Sequence, residues 1–170
     1  MTLFTRRLHW VRNIAPYRIA LTSCPPGDDA LADHLSGWKS EGVDVVVSLL
    51  EPHEQRMLGV EAEASQCVDA GLAYRAFPIR DHDVPASAID FAEFARTLHR
   101  DVADGQAVAI HCLAGIGRTG LLASSLLTLL GVPRPTIAAI LRESRGYAMP
   151  ETEAQRHWLD AFHPMLTASR

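Results

Sequence analysis

The sequence predicts an α/β domain: a central, largely parallel sheet of four or five strands flanked by helices. Two observations lead there. Short apolar runs alternate with amphipathic stretches along the chain, the pattern left by strands and crossover helices in turn. One of those runs, Val43 to Leu50, is rich in valine and apolar on both faces, as a strand covered on both sides of a parallel sheet must be. The 170 residues contain no repeat, low-complexity tract or linker long enough to divide them. A single domain over 1–170 is therefore expected, with 1–16 as an irregular N-terminal segment.

The elements follow in order. Ile19 to Thr22 reads as a first strand, closed by Cys24-Pro25-Pro26-Gly27. Ala30 to Ser40 reads as a helix and Val43 to Leu50 as the valine-rich strand. Val60 to Ala70 reads as a helix stopped by Gly71, a residue that accepts the left-handed turn after a last helical carbonyl. Leu72 to Ile79 is a further strand, followed by the polar loop Arg80-Asp81-His82-Asp83-Val84-Pro85. Ser87, with Asp90 three residues on, caps a helix whose core-facing stripe is Phe91, Phe94, Ala95, Leu98 and Val102. Ala107 to His111 is a short strand. Arg118 to Leu130 is apolar almost all round and reads as a buried central helix. Pro135 to Ser144 and Glu151 to Met165 read as two more helices.

Composition removes several classes of function. The net charge of −4 argues against a nucleic-acid groove, whose mark is a basic stripe. The longest apolar stretch, around Leu121 to Val132, includes Ser124, Ser125 and Thr128 and is too short to span a bilayer. Arg6, Arg7 and Arg12 are followed by no apolar core and no small-residue cleavage site, so no secretory signal is read and a cytoplasmic protein is expected. Three cysteines without a Cys-x-x-Cys do not make a disulfide framework. Eight histidines lie scattered without ligand spacing, so neither metal nor cofactor is expected.

The informative segment is His111-Cys112-Leu113-Ala114-Gly115-Ile116-Gly117-Arg118-Thr119-Gly120. It joins a buried strand to a buried helix. Two glycines inside the loop let successive amides turn inward, and those amides with the positive helix end form a nest sized for one phosphoryl group. Leu113 to Gly117 supply that nest, and Cys112 stands at its head, where amides and the charge of Arg118 favour a thiolate. Arg118 closes the loop with a planar fork that binds two phosphoryl oxygens, which lysine could not match. Thr119 is placed to donate to the sulfur and ease its departure. An inert core cysteine would explain neither the glycines nor Arg118.

His-Cys, five residues, then Arg-Thr-Gly resembles the signature of the cysteine-dependent protein tyrosine phosphatase superfamily, and the element order over roughly residues 40 to 160 resembles its compact dual-specificity branch. The resemblance implies a general acid on a loop some thirty residues before the cysteine. Phe77-Pro78-Ile79-Arg80-Asp81 looks like the family's Pro-Ile-x-Asp form and assigns that role to Asp81, with Asp83 the alternative two residues on. His82 either bonds substrate or holds the loop. The family often has a glutamine where Gln155 stands, orienting the attacking water, but Thr152-x-x-Gln155 also reads as a capping box that begins the last helix. His111 is given a supporting role. Glu51, Glu54, Glu61 and Glu63 read as a solvated face, and Cys24 and Cys67 as structural, with a redox partnership of Cys67 and Cys112 left open.

The implied chemistry is attack of Cys112 on phosphorus with Asp81 protonating the leaving oxygen, then hydrolysis of the thiophosphate by water with Asp81 as base. The implied partner is a phosphorylated protein carrying phosphotyrosine, with phosphoserine or phosphothreonine also admitted by a pocket without an extra aromatic loop. Phosphoinositide is the lesser substrate, because Leu113 to Gly117 contain no lysine. A sulfur-transfer or arsenate-reducing enzyme would not need Asp81, and an inactive phosphopeptide-binding module would not keep cysteine, arginine and acid together.

Overall fold

The computed structural model describes residues 7–168. Five strands form one sheet in the order β1-β2-β5-β3-β4. They are β1 (His9–Trp10), β2 (Ile19–Thr22), β3 (Val45–Ser48), β4 (Ala73–Ala76) and β5 (Val108–His111). The pairs β2–β5, β5–β3 and β3–β4 are parallel, and β1 pairs with β2 antiparallel. Residues 1–6 of the expected irregular N-terminal segment lie outside the described residues. Within 7–16 only β1 departs from that expectation, closing the edge of β2 with His9 opposite Leu21 and Trp10 opposite Ala20, while 7–8 and 11–16 have neither helix nor strand.

The strands alternate between two cores. Ile19, Leu21, Val45, Val47, Val108 and Ile110 face a large cluster with Phe91, Leu98, Leu122, Leu126 and Phe162. Those partners come from α4 (Ala88–Ala103), α5 (Gly117–Leu129) and α7 (Glu153–Ala168). Ala20, Val46 and Ala109 face a smaller cluster with Leu31, Leu35, Trp38 and Cys67, from α1 (Leu31–Ser40) and α3 (Glu63–Asp69). Alanines at two of the three sheet positions let that helical layer sit close. A sheet covered on both faces has no polar face to show, which is why its inner strands read as unbroken apolar runs.

Ser87 caps α4 as expected, its Oγ accepting from the Asp90 N–H at 3.2 Å. One helix was not anticipated. α2 (Pro52–Leu58) starts with a capping box in which Glu51 accepts from the backbone at Glu54 and Glu54 accepts from the backbone N–H of Glu51, with Pro52 in the first turn. The signs were present in Glu51-Pro52-x-Glu54, but the helix is only two turns long. α6 (Arg134–Arg145) precedes α7, and Gly146 ends it with a φ of 89°.

Thr22, His111 and Ser48 stand side by side at the carboxyl ends of three adjacent parallel strands. The loop after β5 therefore leaves the middle of the sheet at the end where ligands of such folds collect.

Candidate active site

Cys112 follows β5 directly and is 3% exposed. Its Sγ accepts from the Gly115 N–H at 3.3 Å and from the Thr119 hydroxyl at 3.2 Å. Gly115 has a φ of 71°, and a Cβ there would collide with the carbonyl oxygen of Thr22, so only glycine brings this amide onto the sulfur. Cys24 N–H donates to the Leu113 carbonyl at 3.0 Å, tying the loop to the end of β2. Ile116 turns its side chain into the main core instead of the cleft. Cys112, Leu113, Ala114, Gly117 and Arg118 line a cleft of about 140 Å³ together with Asp81, His82 and Glu151.

Arg118 is 1% exposed and held in place by Glu54. Its Nη1 and Nη2 donate to Glu54 Oε2 and Oε1 at 2.7 and 2.9 Å, and Nη1 also donates to the Ile79 carbonyl at 2.9 Å. The end-on edge of the guanidinium is thus occupied. The side edge remains: Nε is buried without a partner, and Nη2 lies 2.9 Å from Asp81 Oδ1. A tetrahedral anion meeting Nε and Nη2 would complete the fork. Burial by itself would lower the pKa of Arg118, but the Glu54 hydrogen bonds and the charges of Cys112, Glu54 and Asp81 outweigh it and raise it. In Glu54, burial favours the neutral acid, yet the Arg118 hydrogen bonds prevail and hold its pKa below the ordinary value.

Two carboxylates expected on a solvated face are therefore corrected. Glu54 is 9% exposed and Glu63 1% exposed. Glu63 Oε1 lies 2.8 Å from His111 Nε2, and His111 Nδ1 lies 3.2 Å from the Cys112 carbonyl. The two contacts tie the imidazole between Glu63 and the peptide that follows the nucleophile. Glu51 is half-buried and Glu61 exposed.

Arg145, at the end of α6, has a role the sequence did not signal. Its Nε and Nη2 donate to the carbonyls of Gly115 and Ala114 at 3.2 and 2.8 Å. Carbonyls held outward leave the alternating amides turned inward, which is what an anion nest needs. Burial lowers the pKa of Arg145, against the raising effects of Tyr147 and Cys112. The neighbouring His9, whose Nε2 lies 3.3 Å from Nη1, has its pKa lowered first by burial and then by the Arg145 charge.

Of the two loop aspartates, Asp81 lines the cleft. Asp83 Oδ1 accepts from the Val84 N–H at 2.8 Å, capping the turn. Gln155 is fully buried, with its amide beside Gly117 of the loop. The capping box is formed: Gln155 Oε1 accepts from the Thr152 N–H, and Thr152 Oγ1 accepts from the Gln155 N–H, both at 3.1 Å. Gln155 Nε2 donates to the Asp83 carbonyl at 3.0 Å, pinning the acid loop to the start of α7. Cys67 lies in the smaller cluster across the sheet from Cys112, its thiol pushed up to about 12 by burial and then by Glu63. Among the described residues, no three His, Cys, Asp or Glu are grouped to hold a metal ion, and no helix is long and apolar enough to cross a membrane.

A family model described as "Tc-R-P: Polymorphic toxin system, DSP-PTPase phosphatase" matches residues 22–131, a span that includes Asp81, Cys112 and Arg118. The chain belongs to the DSP-PTPase phosphatase family. It is 35% identical over 89 residues to "Putative tyrosine phosphatase 197R" of Invertebrate iridescent virus 6; the match covers 51% of this chain and only 32% of that relative's length. Solved structures of family phosphatases share the fold. The kinase associated phosphatase KAP, solved with its catalytic-site cysteine changed to serine, superposes with a TM-score of 0.85 at 20% identity, covering 96% of this chain and 97% of that one. Tk-PTP in its active form gives 0.74 at 23% identity, over 92% and 97%. PTPMT1 in complex with PI(5)P gives 0.70 at 20% identity, over 88% and 92%.

Proposed function

We propose that this DSP-PTPase chain hydrolyses phosphomonoesters on proteins, phosphotyrosine first among them, through a cysteinyl-phosphate. The observation that carries the reading is Arg118, which lines one cleft with Cys112 and Asp81 and whose side edge has Nε without a hydrogen-bond partner and Nη2 held by Asp81. Phosphate binds that edge and the inward amides of the loop, and displaces Asp81 from Nη2. Cys112 Sγ attacks phosphorus in line as the ester P–O bond breaks, and the Asp81 proton passes to the leaving oxygen. Charge on the three equatorial oxygens is matched by Arg118 and the amides. Water then attacks phosphorus, its proton passes to Asp81, and the sulfur leaves as thiolate, eased by donation from Thr119 and Gly115.

A protein substrate is favoured over a phosphoinositide by the cleft wall. Apart from Arg118, no arginine or lysine lines it among the described residues, whereas Asp81 and Glu151 do. A headgroup bearing a second phosphate would meet carboxylates there. The likeness to PTPMT1, solved with PI(5)P, is one of fold.

The test is Cys112→Ser on p-nitrophenyl phosphate and on a phosphotyrosine peptide. The variant should fold and should turn over neither substrate above background, while the native protein, trapped by acid during turnover, should carry phosphate on Cys112. Substantial turnover by the serine variant would remove Cys112 as the nucleophile.

A further inference from the structure

The mechanism above leaves His82 unused, yet His82 stands at the mouth of the cleft with a backbone φ of 59°. Left-handed backbone is uncommon outside glycine, though histidine, asparagine and aspartate adopt it more readily than other residues. Three contacts surround His82. The His82 N–H donates to Asp81 Oδ1 at 3.0 Å. The ring places Nε2 3.5 Å from Asp81 Oδ2 and Nδ1 3.5 Å from Glu151 Oε2. An imidazolium can donate to both carboxylates, and a neutral ring to one.

Glu151 forms the other end of this bridge. Its carboxylate packs on Gly117, where a Cβ would stand 3.1 Å from Oε2. It therefore lies over the N-terminus of α5, where the helix dipole favours negative charge. Arg118, Asp81, His82 and Glu151 thus form an arch over the cleft, linked by contacts of 2.9, 3.5 and 3.5 Å.

We propose that His82 and Glu151 are positioning residues, a clip that holds the Asp81 loop across the cleft so that the acid stays within reach of the leaving oxygen. The proposal rests on the phosphatase reading. Its physical reason lies in what substrate does to Asp81. The Asp81 side chain is 42% exposed and is held by Arg118 and His82. A phosphoryl group arriving on the side edge of Arg118 takes Nη2 from it; the Gln155–Asp83 bond still holds the loop backbone, and His82 is the side chain left beside the Asp81 carboxylate. Proton transfer needs the acid within about 2.6–3.2 Å of the ester oxygen, and an Asp81 side chain without a partner at that moment would leave that range. In the first step the Asp81 proton goes to the ester oxygen as the S–P bond forms and the P–O bond breaks; His82 and Glu151 neither gain nor lose a proton.

The experiment uses His82→Asn, whose side chain tolerates left-handed backbone but cannot bridge, together with Glu151→Ala and the double variant. Glu153→Gln, outside the cleft, is the control. Each is assayed on p-nitrophenyl phosphate and on phenyl phosphate, whose leaving group needs the proton far more. We expect kcat on phenyl phosphate to fall at least ten times further than kcat on p-nitrophenyl phosphate in both single variants, with KM nearly unchanged. The double variant should be no worse than the poorer single, because both changes open one clip, and Glu153→Gln should match the native protein. Native leaving-group dependence in His82→Asn or Glu151→Ala, losses confined to KM, or equal losses on both substrates would overturn the clip. Native protein lacking any turnover that depends on Cys112 would instead overturn the phosphatase reading, and the clip with it.

Discussion

Glu54 and Arg118 meet end-on, carboxylate to guanidinium, with contacts of 2.7 and 2.9 Å in a site that leaves Arg118 1% exposed. The pair turns the remaining edge of the arginine toward the cysteine. Glu54→Ala would strand a buried cation, at a cost of about 3–5 kcal/mol of stability. It should also weaken vanadate inhibition roughly tenfold or more, the equivalent of one misplaced charge-assisted hydrogen bond. Thermal unfolding and a vanadate titration measure both. Native vanadate affinity in a folded Glu54→Ala protein would show that Arg118 finds its orientation without the carboxylate.

The acid assignment separates Asp81 from Asp83. Asp81 lines the cleft, whereas Asp83 spends its carboxylate on the Val84 N–H. Asp81→Asn should lower kcat on a phosphotyrosine peptide by roughly 10²–10⁴, the ordinary worth of a general acid, and on p-nitrophenyl phosphate far less. Asp83→Asn should keep the native ratio between the two substrates. If the two variants exchange behaviour, the proton comes from Asp83.

Arg145 tests whether the phosphate loop depends on a clamp from behind. Arg145→Met keeps an unbranched stem and removes the bonds to the Ala114 and Gly115 carbonyls. Loss of a preorganised donor in a transition-state cradle costs about 10²–10³ in kcat. Arg145 acts one step behind the donors, so the expected loss is roughly tenfold, with Arg145→Lys recovering part of it. A Met variant at native kcat would mean that the glycines and α5 shape the loop unaided.

His163 predicts a pH dependence unrelated to catalysis. It is 5% exposed, and burial, then the charge of Arg134, lower its pKa to about 4, against a raising effect of Asp160. Between about 4 and the ordinary value of 6.5 the unfolded chain binds a proton that the folded chain refuses. Stability therefore rises with pH through that window and is lost as pH falls through it, by up to roughly 3 kcal/mol. His163→Gln, which does not titrate, should flatten this part of the profile in urea unfolding. An unchanged slope would place the acid sensitivity in other groups.

Local pattern carried much of this protein. Ile19–Thr22 and Val108–His111 form the strands read from their apolar runs, and the buried helix after Cys112 follows from a stretch with no polar face. The phosphate loop was legible because its requirements are local: glycine where an amide must meet the sulfur, and an arginine in the first turn of the helix that follows. Tertiary structure decided which charges serve that loop. Glu54, Glu63 and Arg145 lie 64, 48 and 31 residues from the partners they hold. In sequence they are indistinguishable from surface charge, since a carboxylate in a polar stretch has the same neighbours whether its helix packs inward or outward. Gln155 shows the same limit: two local readings were open, and the structure forms the capping box while sending the amide nitrogen to Asp83, 72 residues away. Composition and spacing determined where a phosphoryl group could bind. Only folding, by removing water from a chosen few ionic groups, decided which side chains would hold the arginine, the loop carbonyls and the acid in place.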